Sequence, residues 1–141
     1  MLPPMIEGRL VHLSVGSLSM CHTLVIEDEP LIATHLAELV EEAGATSVDF
    51  ARTELEAIVA ARQRKPDIIL SDVQLLDGTG PAAVVAIRRE LGHVPVIFIT
   101  ASPHRCYPRD LQTVVMPKPF EPERLTADRQ PCSRARAGIV L

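Results

Sequence analysis

The chain has 141 residues, of which 47% are hydrophobic and 23% are charged, and its formal net charge is −4. This length and composition are typical of one globular domain with a single hydrophobic core. The acidic balance argues against a nucleic-acid-binding surface, which depends on clustered Lys and Arg. The longest apolar runs, such as Val94–Ile99, are too short to cross a membrane. Residues 1–22 contain the stretch Leu10–Val15 but no basic leader of a secretory signal, so we expect a cytoplasmic protein. Neither DNA nor a membrane is expected as a partner.

Short apolar runs rich in β-branched residues alternate with amphipathic stretches along the chain. The predicted strands, in order, are Thr23–Ile26, Thr46–Ala51, Pro66–Asp72, Val94–Thr100 and Leu111–Met116. Each of the first three strands is followed by a predicted helix: Pro30–Ala43, Thr53–Arg64 and Pro81–Leu91. Residues 102–110 hold two prolines and allow only a short or broken helix. This alternation predicts an open parallel sheet with helices on both sides.

Local signals mark the ends of the predicted helices. Pro30 stands at a first-turn position where its missing N–H costs nothing. Gly44 and Gly92 follow the first and third helices as C-terminal caps. Thr53 and Glu56 have the spacing of a capping box, which predicts the start of the second helix.

The sequence divides into a folded domain and two less regular ends. Residues 1–22 are predicted to be a disordered N-terminal extension, residues 23–125 the folded domain, and residues 126–141 an irregular tail. Because the tail has no helical apolar stripe, the last helix of the domain is predicted to be short or missing. The apolar surface left bare would suit a homodimer or another protein partner. The three cysteines and five histidines lack zinc-ligand spacing.

Polar side chains stand at the ends of four predicted strands. Glu27 and Asp28 follow the first strand, Asp72 ends the third, Thr100 ends the fourth, and Lys118 follows the fifth. Because the carboxyl ends of parallel strands lie along one edge of a sheet, where ligands of such folds bind, we expect these groups to converge. The carboxylates would repel one another without a hard divalent cation, and Mg²⁺ prefers oxygen ligands.

The lysine and the hydroxyl beside the acidic residues predict a phosphoryl-transfer site. Asp72 can attack phosphorus as a carboxylate nucleophile and form an acyl phosphate. The metal and Lys118 can offset charge on the phosphoryl oxygens, while Thr100 donates one hydrogen bond. Each residue alone has an ordinary structural explanation, such as helix capping by the acidic residues or a loop-start aspartate. Their occurrence at successive strand ends makes the pattern specific.

The chain resembles the receiver domains of two-component response regulators from about Thr23 to Leu125. The motifs that carry the resemblance are Val25-Ile-Glu-Asp-Glu-Pro30, Pro66-Asp-Ile-Ile-Leu-Ser-Asp72, Pro95-Val-Ile-Phe-Ile-Thr-Ala101 and Lys118-Pro-Phe120. The resemblance implies a flavodoxin-like, doubly wound α/β fold with five parallel strands in the order 2-1-3-4-5. It also implies a domain that is not a conventional enzyme and catalyses only its own Mg²⁺-dependent phosphorylation and dephosphorylation.

The resemblance assigns roles to particular residues. It makes Asp72 the phosphorylation site, and Thr100 and Lys118 the groups that sense the phosphoryl group. It implies that Mg²⁺ is held by Glu27, Asp28, Asp72 and the backbone carbonyl of Gln74, and that the Lys118–Pro119 peptide bond is cis. The donor would be a histidine kinase or a phosphotransfer protein, and the output would be altered binding of a protein partner.

A narrower resemblance is to the receivers of general-stress-response regulators, carried by residues 27–32, 51–53 and 96–101. In those proteins the receiver is fused to a sigma-factor-like domain, which phosphorylation frees to bind an anti-sigma factor. This chain is too short for that second domain, so we expect a stand-alone relative. Two positions depart from the common pattern: Glu27 replaces an Asp and is expected to hold the metal through water, and Val115 replaces an aromatic residue.

Other functions fit the sequence less well. A haloacid-dehalogenase-type phosphohydrolase needs a second acid two residues after its nucleophile, where this chain has Gln74. A nucleotide-binding protein would need a glycine-rich phosphate loop, and the sequence has none. Flavin binding is also not favoured, because the acidic segment after the first strand would repel the flavin phosphate. A receiver-like module that signals by binding, without phosphorylation, stays open as the alternative.

Overall fold

A computed structural model of the chain describes residues 20–100 and 113–117. The elements in these ranges are β1 His22–Ile26, α1 Pro30–Glu42, β2 Ser47–Ala51, α2 Glu54–Gln63, β3 Ile68–Asp72, α3 Gly80–Leu91, β4 Val96–Thr100 and β5 Thr113–Pro117. Each lies within two residues of the bounds predicted from the sequence. The short helix expected at 102–110, the last helix, the 126–141 tail and residues 1–19 of the extension lie outside the described residues.

The five strands form one parallel sheet in the order β2-β1-β3-β4-β5, so the predicted strand order is confirmed. The chain runs outward from β1 to β2 and then returns to pair β3 with the other side of β1. The winding direction therefore reverses between β1 and β3, and ligands of doubly wound sheets bind at the carboxyl ends of such strands.

Two apolar clusters, one on each face of the sheet, hold the layers together. Helix α1 covers one face, where Leu36 and Val40 pack with Val25 and Leu70. Helices α2 and α3 cover the other face, where their buried residues pack with the strand residues that point away from α1. This second cluster contains Leu24, Ile26, Ala57, Ala61, Ile69, Val84, Ile87, Val96 and Phe98. The near-continuous apolar runs of β3 and β4 follow from this arrangement, because both faces of these strands are covered.

An exposed ion pair joins the C-terminal ends of α2 and α3. The Arg62 guanidinium donates to the Glu90 carboxylate, with Nη2 2.6 Å from Oε2. This hydrogen bond, assisted by the charge of Arg62, lowers the pKa of Glu90, and the same contact raises the pKa of Arg62. Because both side chains are exposed to solvent, the pair orients the two helix ends and adds little to the free energy of unfolding.

Side-chain caps begin two of the helices. The Thr53 hydroxyl accepts a hydrogen bond from the backbone N–H of Glu56 at 3.1 Å, as the capping-box prediction required. The reciprocal bond differs from that prediction, because Glu56 Oε1 accepts from the N–H of Arg52 and not from that of Thr53. Thr79 caps α3 in the same way as Thr53 caps α2, accepting from Ala82 N at 3.2 Å.

At the end of α1 the last half-helical residue is Ala43, and Gly44 follows it with φ +109°, so the glycine predicted to end this helix has the positive φ of a C-terminal cap. None of the helices in the described part of the chain is long and apolar enough to span a membrane.

Replacing the cap of α2 tests the local account of this helix. Thr53→Ala removes the acceptor for the Glu56 N–H and is expected to lower the free energy of unfolding by about 1 kcal/mol. Thr34→Ala is the matched control, because Thr34 is an exposed α1 residue whose hydroxyl only donates back to the Pro30 carbonyl. Urea unfolding followed by circular dichroism measures both. Equal effects of the two substitutions would contradict a capping role for Thr53.

Candidate functional site

Three carboxylates lie together at the carboxyl edge of the sheet. Glu27, Asp28 and Asp72 each offer one oxygen, and these three oxygens lie within 4.8 Å of one another. The pairing of β1 with β3 accounts for this, because Ile26 is the partner of Ser71 and the acidic residues directly follow this pair. Glu27 is 2% exposed, whereas Asp28 and Asp72 are half-buried.

The donor set of this cluster fits a hard divalent cation. Carboxylates at this separation repel one another, and the burial of Glu27 removes water that would otherwise screen the repulsion. A cation such as Mg²⁺, which binds oxygen ligands and keeps several waters, would offset both costs. The acidic cluster is therefore of the kind expected from the sequence.

Backbone hydrogen bonds orient two of the three carboxylates. Glu27 Oε2 accepts from the N–H of Glu29 at 3.1 Å, and Asp72 Oδ1 accepts from the N–H of Val73 at 2.7 Å. The N-cap residue of α1, Glu29, makes no side-chain capping hydrogen bond. The acidic segment is therefore not held in place by a capping hydrogen bond from the side chain of Glu29.

The remaining residues of the predicted site are placed to different extents. Thr100 is buried at the end of β4, beside β3, and pairs with Pro117 of β5. Gln74 lies two residues beyond Asp72 in an exposed loop, where it forms an isolated antiparallel bridge with Thr79. Lys118 follows Pro117 directly in the chain, but it lies outside the described residues, as does the Lys118–Pro119 peptide bond.

Val115 lies on β5 opposite Phe98 and packs against the apolar cluster beneath α2 and α3. Its β-branched side chain is restricted in χ1 and has no ring. A switch that relies on the rotamer of an aromatic side chain therefore has no such side chain at this position.

Sequence reasoning missed two residues that shape the strand end carrying Asp72. The Ser71 hydroxyl donates to the Asp72 carbonyl at 2.7 Å, and the Gly80 N–H donates to the Val73 carbonyl at 2.9 Å. A Cβ atom on Gly80 would lie 2.0 Å from the Asp72 carbonyl oxygen and 2.3 Å from Ser71 Oγ. Helix α3 thus begins in direct contact with the backbone of the candidate nucleophile, and only glycine permits this approach. No sequence signal reveals it, because Thr79-Gly-Pro81 indicates only a helix start.

The family model of the response regulator receiver domain matches residues 23–129. This match, together with the doubly wound parallel sheet and the acidic cluster at its carboxyl edge, identifies the class of domain as a receiver of two-component systems. The chain belongs to the response regulator receiver domain family, as its sequence motifs predicted.

Similar proteins place the chain within this family. It is 42% identical over 107 residues to the phyllosphere-induced regulator PhyR of Methylorubrum extorquens, a match covering 74% of this chain and 40% of PhyR. It is 35% identical over 80 residues to the polar-differentiation response regulator DivK of Brucella ovis, covering 55% of this chain and 64% of DivK. The solution structure of the PhyR receiver domain from Erythrobacter litoralis is similar with a TM-score of 0.68 at 33% identity, covering 87% of this chain and 95% of that domain.

The match to PhyR, a stress response regulator, confirms the predicted similarity to that group. The chain spans 40% of the length of the Methylorubrum protein, so the shared region is the receiver and not the whole regulator.

Removing one carboxylate charge tests the electrostatic account of the cluster. In buffer with a chelator, Asp28→Asn is expected to raise the free energy of unfolding by about 1 to 4 kcal/mol, since it relieves repulsion with Glu27 and Asp72. Excess MgCl₂ is expected to stabilise the wild-type protein more than the variant, because the variant has lost a ligand. Thermal unfolding with and without Mg²⁺ measures both effects.

Glu38→Gln on the exposed face of α1 is the matched control, since it removes one negative charge away from the cluster. A stability change in Asp28→Asn no larger than in this control, with an unchanged response to Mg²⁺, would contradict the account.

Proposed function

We propose that Asp72 accepts a phosphoryl group from a histidine kinase or a phosphotransfer protein and that this modification switches the binding of a protein partner. The observation that carries the proposal is the cluster of Glu27, Asp28 and Asp72 oxygens within 4.8 Å, at the carboxyl edge of a receiver-domain sheet. Asp72 ends β3 itself and is only half-buried, so a donor can reach it.

The residues at this edge divide the chemistry among them. Asp28, Asp72 and the Gln74 carbonyl would hold Mg²⁺ directly, with Glu27 acting through water. The bound ion would offset negative charge on the phosphoryl oxygens. An Asp72 carboxylate oxygen forms the new bond to phosphorus as the bond from phosphorus to the donor nitrogen breaks, which yields an acyl phosphate.

Thr100 and Lys118 complete the proposed site. Lys118 would pair with the phosphoryl oxygens, and the Thr100 hydroxyl would donate a hydrogen bond to one of them. Because Thr100 ends β4 and pairs with β5, movement of its hydroxyl toward the phosphoryl group would shift β5. Phosphorylation would thereby change a protein-binding surface. Because residue 115 is a valine, this change would not depend on the rotamer of an aromatic side chain at that position.

The family also suggests the cellular setting. A receiver domain receives its phosphoryl group from a kinase and passes the change to an output protein, so we place the chain in the cytoplasm with a homodimer or a second protein as output. PhyR of Bartonella quintana is described as an anti-anti-sigma factor. By analogy, the output partner of this chain would be a protein that regulates transcription initiation.

Phosphorylation by a small-molecule donor tests the proposal. Purified protein incubated with acetyl phosphate and Mg²⁺ is expected to gain the mass of one phosphoryl group, in an adduct that alkali removes because it is an acyl phosphate. The adduct should be absent in Asp72→Ala and in the presence of a chelator. Asp77→Ala is the matched control, because Asp77 is an exposed aspartate of the same loop region, and it should be modified like the wild type.

Intact-mass spectrometry reads all of these samples. Absence of an adduct on protein shown to be folded would contradict the phosphorylation proposal and leave a receiver-like binding module. An adduct retained in Asp72→Ala would contradict the assignment of the acceptor.

A further inference from the structure

The loop between β3 and α3 carries Gln74, and it is fastened at both of its ends. At the Asp72 end, the Gly80 N–H donates to the Val73 carbonyl at 2.9 Å, and Gly80 lies directly against the Asp72 backbone. Gln74 bridges Thr79 across the loop in antiparallel fashion. Because the bond from Gly80 to Val73 lies one residue outside this bridge, Gln74 and Thr79 form a non-hydrogen-bonded pair. The Gln74 carbonyl and the Thr79 N–H then point away from each other.

Glu54, the first residue of α2, holds the other side of this loop. Its backbone N–H donates to the Asp77 carbonyl at 3.1 Å, and its Oε1 accepts from the Thr79 N–H at 3.4 Å, a long hydrogen bond. Between these two contacts lies Gly78 with φ +84°, and a Cβ atom there would be 2.5 Å from Glu54 Cβ. The loop therefore closes against the Glu54 side chain through a residue that only glycine fills without strain.

The charge of Glu54 suits this position. The carboxylate lies at the N-cap residue of α3, Thr79, while Glu54 itself begins α2. A carboxylate is favoured at the positive end of a helix, and here one side chain serves the first turns of two helices. It is thereby linked to the loop that runs from Asp72 to α3.

We propose that Glu54 is a positioning residue for the metal site. By holding residues 77–79, the side of the loop that faces Gln74, Glu54 keeps the Gln74 carbonyl in place for Mg²⁺. The inference rests on the proposed function for the identity of the ion and for the role of Gln74. Among the described residues, the loop contacts of Glu54 are with Asp77, Gly78 and Thr79 and not with the three carboxylates of the cluster. Glu54 acts through Thr79, which faces Gln74 across the loop and is held beside it by the adjoining hydrogen bond from Gly80 to Val73.

Isothermal titration calorimetry of the full chain with MgCl₂ tests the inference without a phosphoryl donor. Glu54→Ala is expected to weaken Mg²⁺ binding by about tenfold, the scale typical of residues that orient a metal ligand. Glu54→Gln keeps an acceptor oxygen and should bind Mg²⁺ nearly as tightly as the wild type. Glu54→Asp keeps the charge but shortens the reach, so it should lose affinity as the alanine variant does. Glu38→Ala, an exposed glutamate of α1, should leave the affinity unchanged.

Amide chemical shifts give a second readout in metal-free protein. In Glu54→Ala the Gln74 and Thr79 amide signals should move, whereas they should stay near their wild-type positions in Glu54→Gln. If Glu54→Ala does not fold, as thermal unfolding would show, Glu54→Asp decides the question.

Two results would overturn the inference. The first is Mg²⁺ affinity in Glu54→Ala or Glu54→Asp equal to that of the wild type. The second is an equal loss in Glu54→Gln and Glu54→Ala, which would make the effect one of charge and not of positioning. Failure of the wild type to become phosphorylated would contradict the proposed function, yet it would leave these affinity comparisons intact.

Discussion

The parallel pairing of β1 with β3 is the constraint on which the rest of this domain depends. It sets Ile26 beside Ser71 and so brings Glu27, Asp28 and Asp72 to one edge, although 43 residues separate Asp28 from Asp72. A slip of one residue would turn Leu24 and Ile26 away from α2 and α3 and place Val25 on that face instead. The burial of these side chains therefore stabilises a register that the carboxylates themselves oppose.

The same edge combines an unfavourable charge arrangement with a rigid surround. Glu27 is buried beside two other carboxylates, and a bound cation would offset the repulsion among them. Around it, the Ser71 and Gly80 contacts fix the Asp72 backbone, and the Glu54 contact fixes the loop beyond. Repulsion among the three carboxylates lowers the stability of the fold. Burial of the apolar clusters on both faces of the sheet supplies the compensating free energy.

Much of this arrangement could be predicted from the sequence, because it depends on local pattern. The β-branched runs gave the strands, and polar residues directly after them gave Glu27, Asp28 and Asp72 as a cluster. What could not be predicted depends on distances between segments. The close approach of Gly80 to Asp72 and the contact of Glu54 with Thr79 arise only once α3 and α2 are packed, and neither has a sequence signature. The capping box was half correct for a different, local reason: Glu56 accepts from the N–H of Arg52, one residue before the N-cap, and the spacing of Thr53 and Glu56 alone does not decide between these two donors.

The central claim, that Asp72 is a metal-dependent phosphoryl acceptor, is tested most directly with beryllofluoride, a stable mimic of the phosphoryl group on a carboxylate. Two-dimensional amide spectra of the wild type and of Asp72→Asn would be recorded with beryllofluoride, with and without Mg²⁺. The account expects shifts centred on Glu27, Asp28, Val73 and Thr100, seen only in the wild type and only with Mg²⁺. Unchanged spectra, or the same shifts in Asp72→Asn, would contradict it.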